Sequence, residues 1–223
     1  MDLEEAVLGR RSIRAFRPDP VPPAMLRDLV DRARWTPSAA NTQPWEFIIV
    51  GGEPLRTLRS RLRTAAVADP VGKPEMGWPA TLPERFKARR QDVGDAVLRA
   101  LGIAADDKVK KNEWFLAGVG FFDAPQIVLV TMERCFTDLA ILDLGAVALA
   151  LELLAYGEGL GTCPQAAPLR YPWIFHEVLA IPETKRVMLT VPIGFPALDA
   201  PVNRFPRARV PLHEILRWSG ITP

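Results

Sequence analysis

Apolar and polar positions change period several times along the chain, and each change marks an element. Met25, Leu26, Leu29, Val30 and Ala33 recur at helical spacing behind Pro22 and Pro23, which predicts a helix from there to about Trp35. "WEFIIV" (45–50) is a short apolar run closed by Gly51 and Gly52, as expected of a strand. "EPLRTLRSRLRTAA" (53–66) returns to helical spacing with basic residues on the exposed positions. "PQIVLVTM" (125–132) and "RVMLTVPIGF" (186–195) predict two further strands, and 2–9, 83–101, 106–117 and 171–180 predict helices. Residues 137–156 are apolar almost all the way round a helix, which implies burial on all sides, in the middle of the core or between two subunits.

Strands alternate with helices, so the class is mixed α and β. We expect one domain over 1–223, with an excursion at about 67–118 and a proline-rich C-terminal arm at about 196–223. Hydrophobic residues make up 48% and charged residues 24%, enough for a large globular core. Two cysteines with no CxxC, and an acidic start without a signal-peptide pattern, lead to the expectation of a reduced, cytoplasmic compartment and no membrane.

Net charge is only +2, so any basic function must be local. It is concentrated in two acid-free runs, "RRSIRAFR" (10–17) and "NRFPRAR" (203–209). Arginine presents a planar fork of donors that matches phosphate oxygens in pairs, so Arg10, Arg11, Arg14 and the Ser12 hydroxyl suit a terminal phosphate. The plainer reading is a solvated basic loop. No GxxxxGK[ST] motif occurs, and "GEGLGT" (157–162) follows a helix where a dinucleotide fingerprint would follow a strand.

Acid–base chemistry is sparse. His176 and His213 are the only histidines, and neither has a partner at metal-ligand spacing, so no metal site is expected. Cys163 sits in the glycine–proline loop "GLGTCPQAAP" (159–168), where packing is the expected role. An enzyme so furnished needs a cofactor to carry the reaction. Ser38, Asn41 and Gln43 in "PSAANTQPW" (37–45) offer compact donors and acceptors for a heteroaromatic edge, although turn formation is their commoner use.

Taken in order, "RRSIRAF", "TPSAANTQPWEFIIV", "GLGTCPQ" and "PVNRFPRARVPLHEIL" resemble the FMN-dependent nitroreductase family. The resemblance reaches both ends and the centre of the chain but not 67–118. It implies an α+β fold with a central mixed β-sheet flanked by helices, built as an intertwined homodimer with FMN at the subunit boundary.

Carried over by position, Arg10, Arg11, Ser12 and Arg14 match phosphate and ribityl contacts, and Arg207 and Arg209 match C-terminal phosphate contacts. Pro37, Ser38 and Ala39 would reach the flavin from the neighbouring subunit, with Asn41 and Gln43 in the same motif. Pro164, Gln165, Ala166 and Ala167 match the loop along the isoalloxazine, with a backbone N–H near Ala166 facing N5. Some members carry glutamate and glycine where this chain has Ala166 and Ala167, so only backbone contacts transfer there.

The implied reaction is ping-pong: hydride from NADPH or NADH, then electrons to a nitroaromatic, quinone or enone, with no side-chain nucleophile. Trp78, Phe86, Trp114, Phe115, Phe121 and Phe122 are candidates to roof the ring. Dehalogenation or ene reduction on the same fold, and a non-enzymatic phosphate or nucleic-acid binding module, are the alternatives. Within the family reading, the partners are a second copy of the chain and a small molecule, not nucleic acid.

Overall fold

A computed structural model gives the architecture and describes residues 2–77, 79 and 81–221. Four strands form one sheet in the order β1-β2-β4-β3, with β1 at Glu46–Gly51, β2 at Gln126–Glu133, β3 at Gly161–Thr162 and β4 at Lys185–Gly194. All three ladders are antiparallel, and a parallel component enters through the single bridge between Ser12 and Thr162. β2 is central, and Ile127 to Met132 are buried on both faces, which is why that run is continuously apolar and not alternating.

Helices cover both faces. α2 (Pro23–Ala33) buries Leu26, Leu29 and Ala33 against α6 (Ala140–Gly157) and the sheet. α3 (Gly52–Ala68) presents Leu55, Leu58, Leu62 and Ala66 to the other face, where α7 (Pro172–Leu179) adds Ile174 and Phe175. α1 (Leu3–Gly9) precedes the first arginine run. The 67–118 stretch contains α4 (Glu84–Ala100) and the larger part of α5 (Lys108–Val119). The predicted helices and three longer strands lie within a few residues of these bounds. The two-residue β3 was not visible in the sequence, because "GLGTCPQAAP" has the composition of a loop.

The reading of α6 divides. Leu144, Val147, Leu151 and Ala155 are buried, yet Leu142 and Leu149 are 70% and 48% exposed. Burial on all sides therefore does not occur within one chain, and an apolar face stands open. α6 is long and apolar enough to cross a membrane by length and composition. Its inner face nevertheless packs on α2 and the sheet, and it carries the buried, ion-paired Glu152.

Both ends of the chain lie over the β3–β4 edge. Gly161 has no side chain, and a Cβ there would sit 2.7 Å from the Ile13 side chain, so its absence lets the N-terminal segment cross closely. Ile13 then donates its N–H to Thr162 O at 2.8 Å, and Arg17 N–H bonds Phe195 O at 2.8 Å. The C-terminal arm follows as turns, with short 3-10 segments at Pro201–Asn203 and Leu212–Glu214.

Candidate functional site

Asn203 ties the two ends together. It is buried; its Oδ1 accepts the Arg14 N–H at 2.8 Å, and its Nδ2 donates to Ala15 O at 2.8 Å and Ala197 O at 2.9 Å. Arg11 donates to Phe205 O, and Arg207 donates to Leu8 O and Arg10 O. Phe205 lies under two cations, with the Arg11 and Arg14 guanidinium carbons each 5.8 Å from its ring centre.

The product is a cleft of about 870 Å³ lined by Arg10, Arg11, Ser12, Arg14, Arg207 and Arg209, with α4 as its far wall. That volume is in the range of cofactor sites. The two basic runs, far apart in sequence, thus share one cavity. Among the described residues only Arg10 of these five arginines has a carboxylate partner: Glu152, which accepts from its Nη1 at 2.7 Å. Burial lowers the Arg207 pKa, and so does repulsion from Arg11, Arg209 and Arg10. An anion placed here relieves that repulsion.

Sequence reading missed the α4 wall. Arg89, Asp92, Asp95 and Arg99 line it, and Arg89 is anchored to the arm by Glu214 at 2.8 Å. These residues lie in the stretch that the family motifs do not cover. Asn203 and Phe205 lie inside the basic run 203–209, where nothing in the local pattern marks an amide clamp or an aromatic platform.

The 164–167 loop begins beside the cluster. Cys163 is buried, and its thiol is pushed up to about 11, chiefly by burial, against the opposing pull of Arg14 and Ser12. Gln165 is buried too. Its N–H bonds Thr190 O at 2.8 Å, and its Nε2 donates to Gly118 O at 3.0 Å, so its side chain secures the loop from below. Ala166 is exposed and its N–H has no acceptor among the described residues, while Pro164 and Ala167 are half-buried. None of Pro164–Ala167 lines the cleft itself; the loop is joined to it through Cys163, which lies near Ser12 and Arg14. An N–H left without an acceptor on an exposed, anchored loop is the kind of donor that a flavin ring edge needs. The residues present fit FMN.

The 37–43 loop does not line the cleft in the same chain either. Pro37, Ala39, Asn41 and Gln43 are exposed and Ser38 half-buried, and none of them lines the cavity. The loop is nonetheless rigidly built. Ala40, Asn41 and Gln43 have φ of 49°, 57° and 47°, Ser38 Oγ accepts Gln43 N–H at 2.9 Å, and Asp143 on α6 accepts Ala39 N–H at 3.3 Å. Asp143 thus has the structural partner expected of a half-buried carboxylate.

Of the candidate roof aromatics, Phe121 is core and Phe115 packs against it. Phe86 is flanked by Arg85 and Arg89, and Trp114 stacks on Phe122 with ring centres 4.9 Å apart. Trp78 lies outside the described residues. His176 is buried, with Nδ1 2.9 Å from Ile181 O, and His213 is exposed. Among the described residues no cluster of three metal-ligating side chains occurs.

The Nitroreductase family model matches residues 7–195. This chain belongs to that family. Nitroreductase relatives include the chloronitrobenzene nitroreductase of Comamonas testosteroni, 32% identical over 95% of this chain and 94% of that protein. The 4-nitrobenzoate reductase of Pseudomonas putida is 29% identical over 92% and 91%. The FMN and NADPH-dependent nitroreductase NfnB of Sphigopyxis sp. strain HMH superposes with a TM-score of 0.95 at 31% identity, covering 99% of this chain and all of that one. The α+β fold expected from the nitroreductase motifs is the fold observed.

Proposed function

We propose that this chain is an oxidoreductase that holds FMN, takes hydride from NADPH or NADH, and passes electrons to nitroaromatic compounds or related small electrophiles such as quinones and enones. One observation carries the reading: arginines from both ends of the chain converge, without carboxylate partners for four of the five, on one cofactor-sized cleft. Relatives named as nitroreductases over more than nine-tenths of the chain support the acceptor class.

In this reading Arg11, Arg14, Arg207 and Arg209 bind the phosphate, with Arg10 and the Ser12 hydroxyl beside them. The Pro164–Ala167 loop runs along the ring, and the Ala166 N–H is its donor toward N5. FMN supplies the two-electron chemistry, so the protein's work is placement and stabilisation of negative charge.

Pro37, Ser38, Ala39, Asn41 and Gln43 serve the site of a second copy. Their outward position, and the uncovered face of α6 at Leu142 and Leu149, support a homodimer. We take 1–223 as one domain with a variable excursion, acting in the cytoplasm on a small molecule.

The test is optical. Purified protein should be yellow, bleach on anaerobic addition of NADPH, and regain colour on addition of 4-nitrobenzoate. Protein that stays colourless after incubation with FMN defeats the reading.

A further inference from the structure

Phe121, Phe122 and Asp123 adopt φ of 63°, 50° and 54° in succession. Non-glycine residues seldom enter this region, and three together persist only where the surroundings over-determine them. The surroundings here are two arginines of α3. Arg59 spans the turn, donating from Nε to Gly120 O and from Nη2 to Ala124 O, both at 2.9 Å. Asp123 then pairs with Arg59 at 3.3 Å and Arg63 at 3.0 Å.

The turn sends two adjacent aromatic rings in different directions. Phe121 enters the core and meets Phe175 edge-on at 6.4 Å. Phe122, half-buried, stacks on Trp114 at 4.9 Å with a 31° tilt. Through Phe122 the pair approaches the base of the loop assigned to the flavin ring. A Cβ on Gly118 would lie 3.5 Å from the Phe122 ring and 3.9 Å from Gln165 Nε2, and Gly118 O is the acceptor for that amide. The Phe122 ring and the Gln165 amide at the base of the 164–167 loop thus meet beside Gly118 at ordinary van der Waals distance.

We propose that Arg59 is a positioning residue for acceptor selectivity: by bracing the left-handed turn it fixes Phe122 and Trp114 as an aromatic wall beside the 164–167 loop, against which flat aromatic acceptors stack. The inference rests on the flavin reading above. An extended turn without Arg59 would let Phe122 swing away, and aromatic acceptors would lose a stacking partner that a small inorganic oxidant never used.

Two measurements test it. The first is the ratio of kcat/KM for 4-nitrobenzoate to that for ferricyanide in FMN-loaded protein. Phe122→Leu and Arg59→Lys should each lower this ratio about tenfold, the size of an aromatic stacking contribution. A purely structural role would lower both values together and leave the ratio unchanged, which would overturn the proposal.

The second needs no flavin. Amide hydrogen exchange at 121–124 should accelerate at least about tenfold in Arg59→Lys and in the exposed-site variant Asp123→Asn, which keeps the brace testable if Arg59→Lys fails to fold. Unchanged exchange overturns the bracing argument. A wild-type chain that never turns yellow would instead mark failure of the flavin reading, separately from these results.

Discussion

The Asn203 carboxamide clamps the backbone of Arg14: Oδ1 accepts the Arg14 N–H at 2.8 Å while Nδ2 spans Ala15 O and Ala197 O. One buried side chain thus joins the two arginine runs. Asn203→Ala leaves the Arg14 N–H and Ala197 O without their partner, while Ala15 O keeps the Ala197 N–H at 3.0 Å, and each unsatisfied buried group costs about 1–3 kcal/mol. We expect a stability loss of roughly 2–4 kcal/mol by urea unfolding. FMN retention should fall as well, because the clusters no longer share a fixed spacing. Asn203→Asp should be nearly as damaging, since it removes the Nδ2 donor.

Arg207 and Arg209 test the anion site with little cost to the fold. Both are exposed, and Arg207 is engaged only with backbone carbonyls. The double change Arg207→Ala, Arg209→Ala should weaken FMN binding about a hundredfold or more, at about 1.5–3 kcal/mol for each charge-assisted bond. Fluorescence titration measures this, and far-ultraviolet circular dichroism should match wild type. Unchanged affinity would remove the tail arginines from the site.

Glu152 makes a pH-dependent prediction. Burial raises its pKa, against the opposing pull of the Arg10 charge and hydrogen bond. A carboxyl raised in the folded state binds its proton more tightly there than when unfolded. Its contribution to stability is complete below the ordinary value of 4.5 and is lost as pH rises through the raised value. Glu152→Gln removes that loss and still accepts from Arg10. Its melting temperature should exceed wild type at pH 7 to 8, and the gap should close below pH 4.5. Glu152→Ala should destabilise at pH 7, because Arg10 loses its partner.

The open face of α6 predicts assembly. Leu142→Glu, at 70% exposure in the single chain, should leave the protomer folded. Placed in an apolar dimer interface, the charge should weaken self-association by about a hundredfold or more, readable by analytical ultracentrifugation. FMN should be lost along with the dimer, because the 37–43 loop would no longer reach the ring. A dimer of wild-type strength in this variant would move the interface elsewhere.

Much of this was legible in the sequence because it rests on local patterns. Leu55, Leu58, Leu62 and Ala66 announce an inward helix face, and the unbroken run from Ile127 to Met132 announces a central strand. The arginine clusters were legible as charge without acid. Their meeting was not, since it depends on Asn203 and on the missing side chain at Gly161, two small features with no periodicity. α6 was legible only in part: an all-apolar helix states that every face is to be covered, and not by which chain. The left-handed turn at Phe121–Asp123 gave no signal either, because neither phenylalanine favours that backbone and its cause, Arg59, is 61 residues from Gly120.

The most direct measurement compares FMN with riboflavin, the same ring and ribityl chain without the phosphate, by titration of the apoprotein. If the converging arginines hold the phosphate, FMN should bind at least about a thousandfold more tightly, as expected from two or more charge-assisted bonds, and raising salt should narrow the gap. Equal affinity for the two ligands would contradict the account.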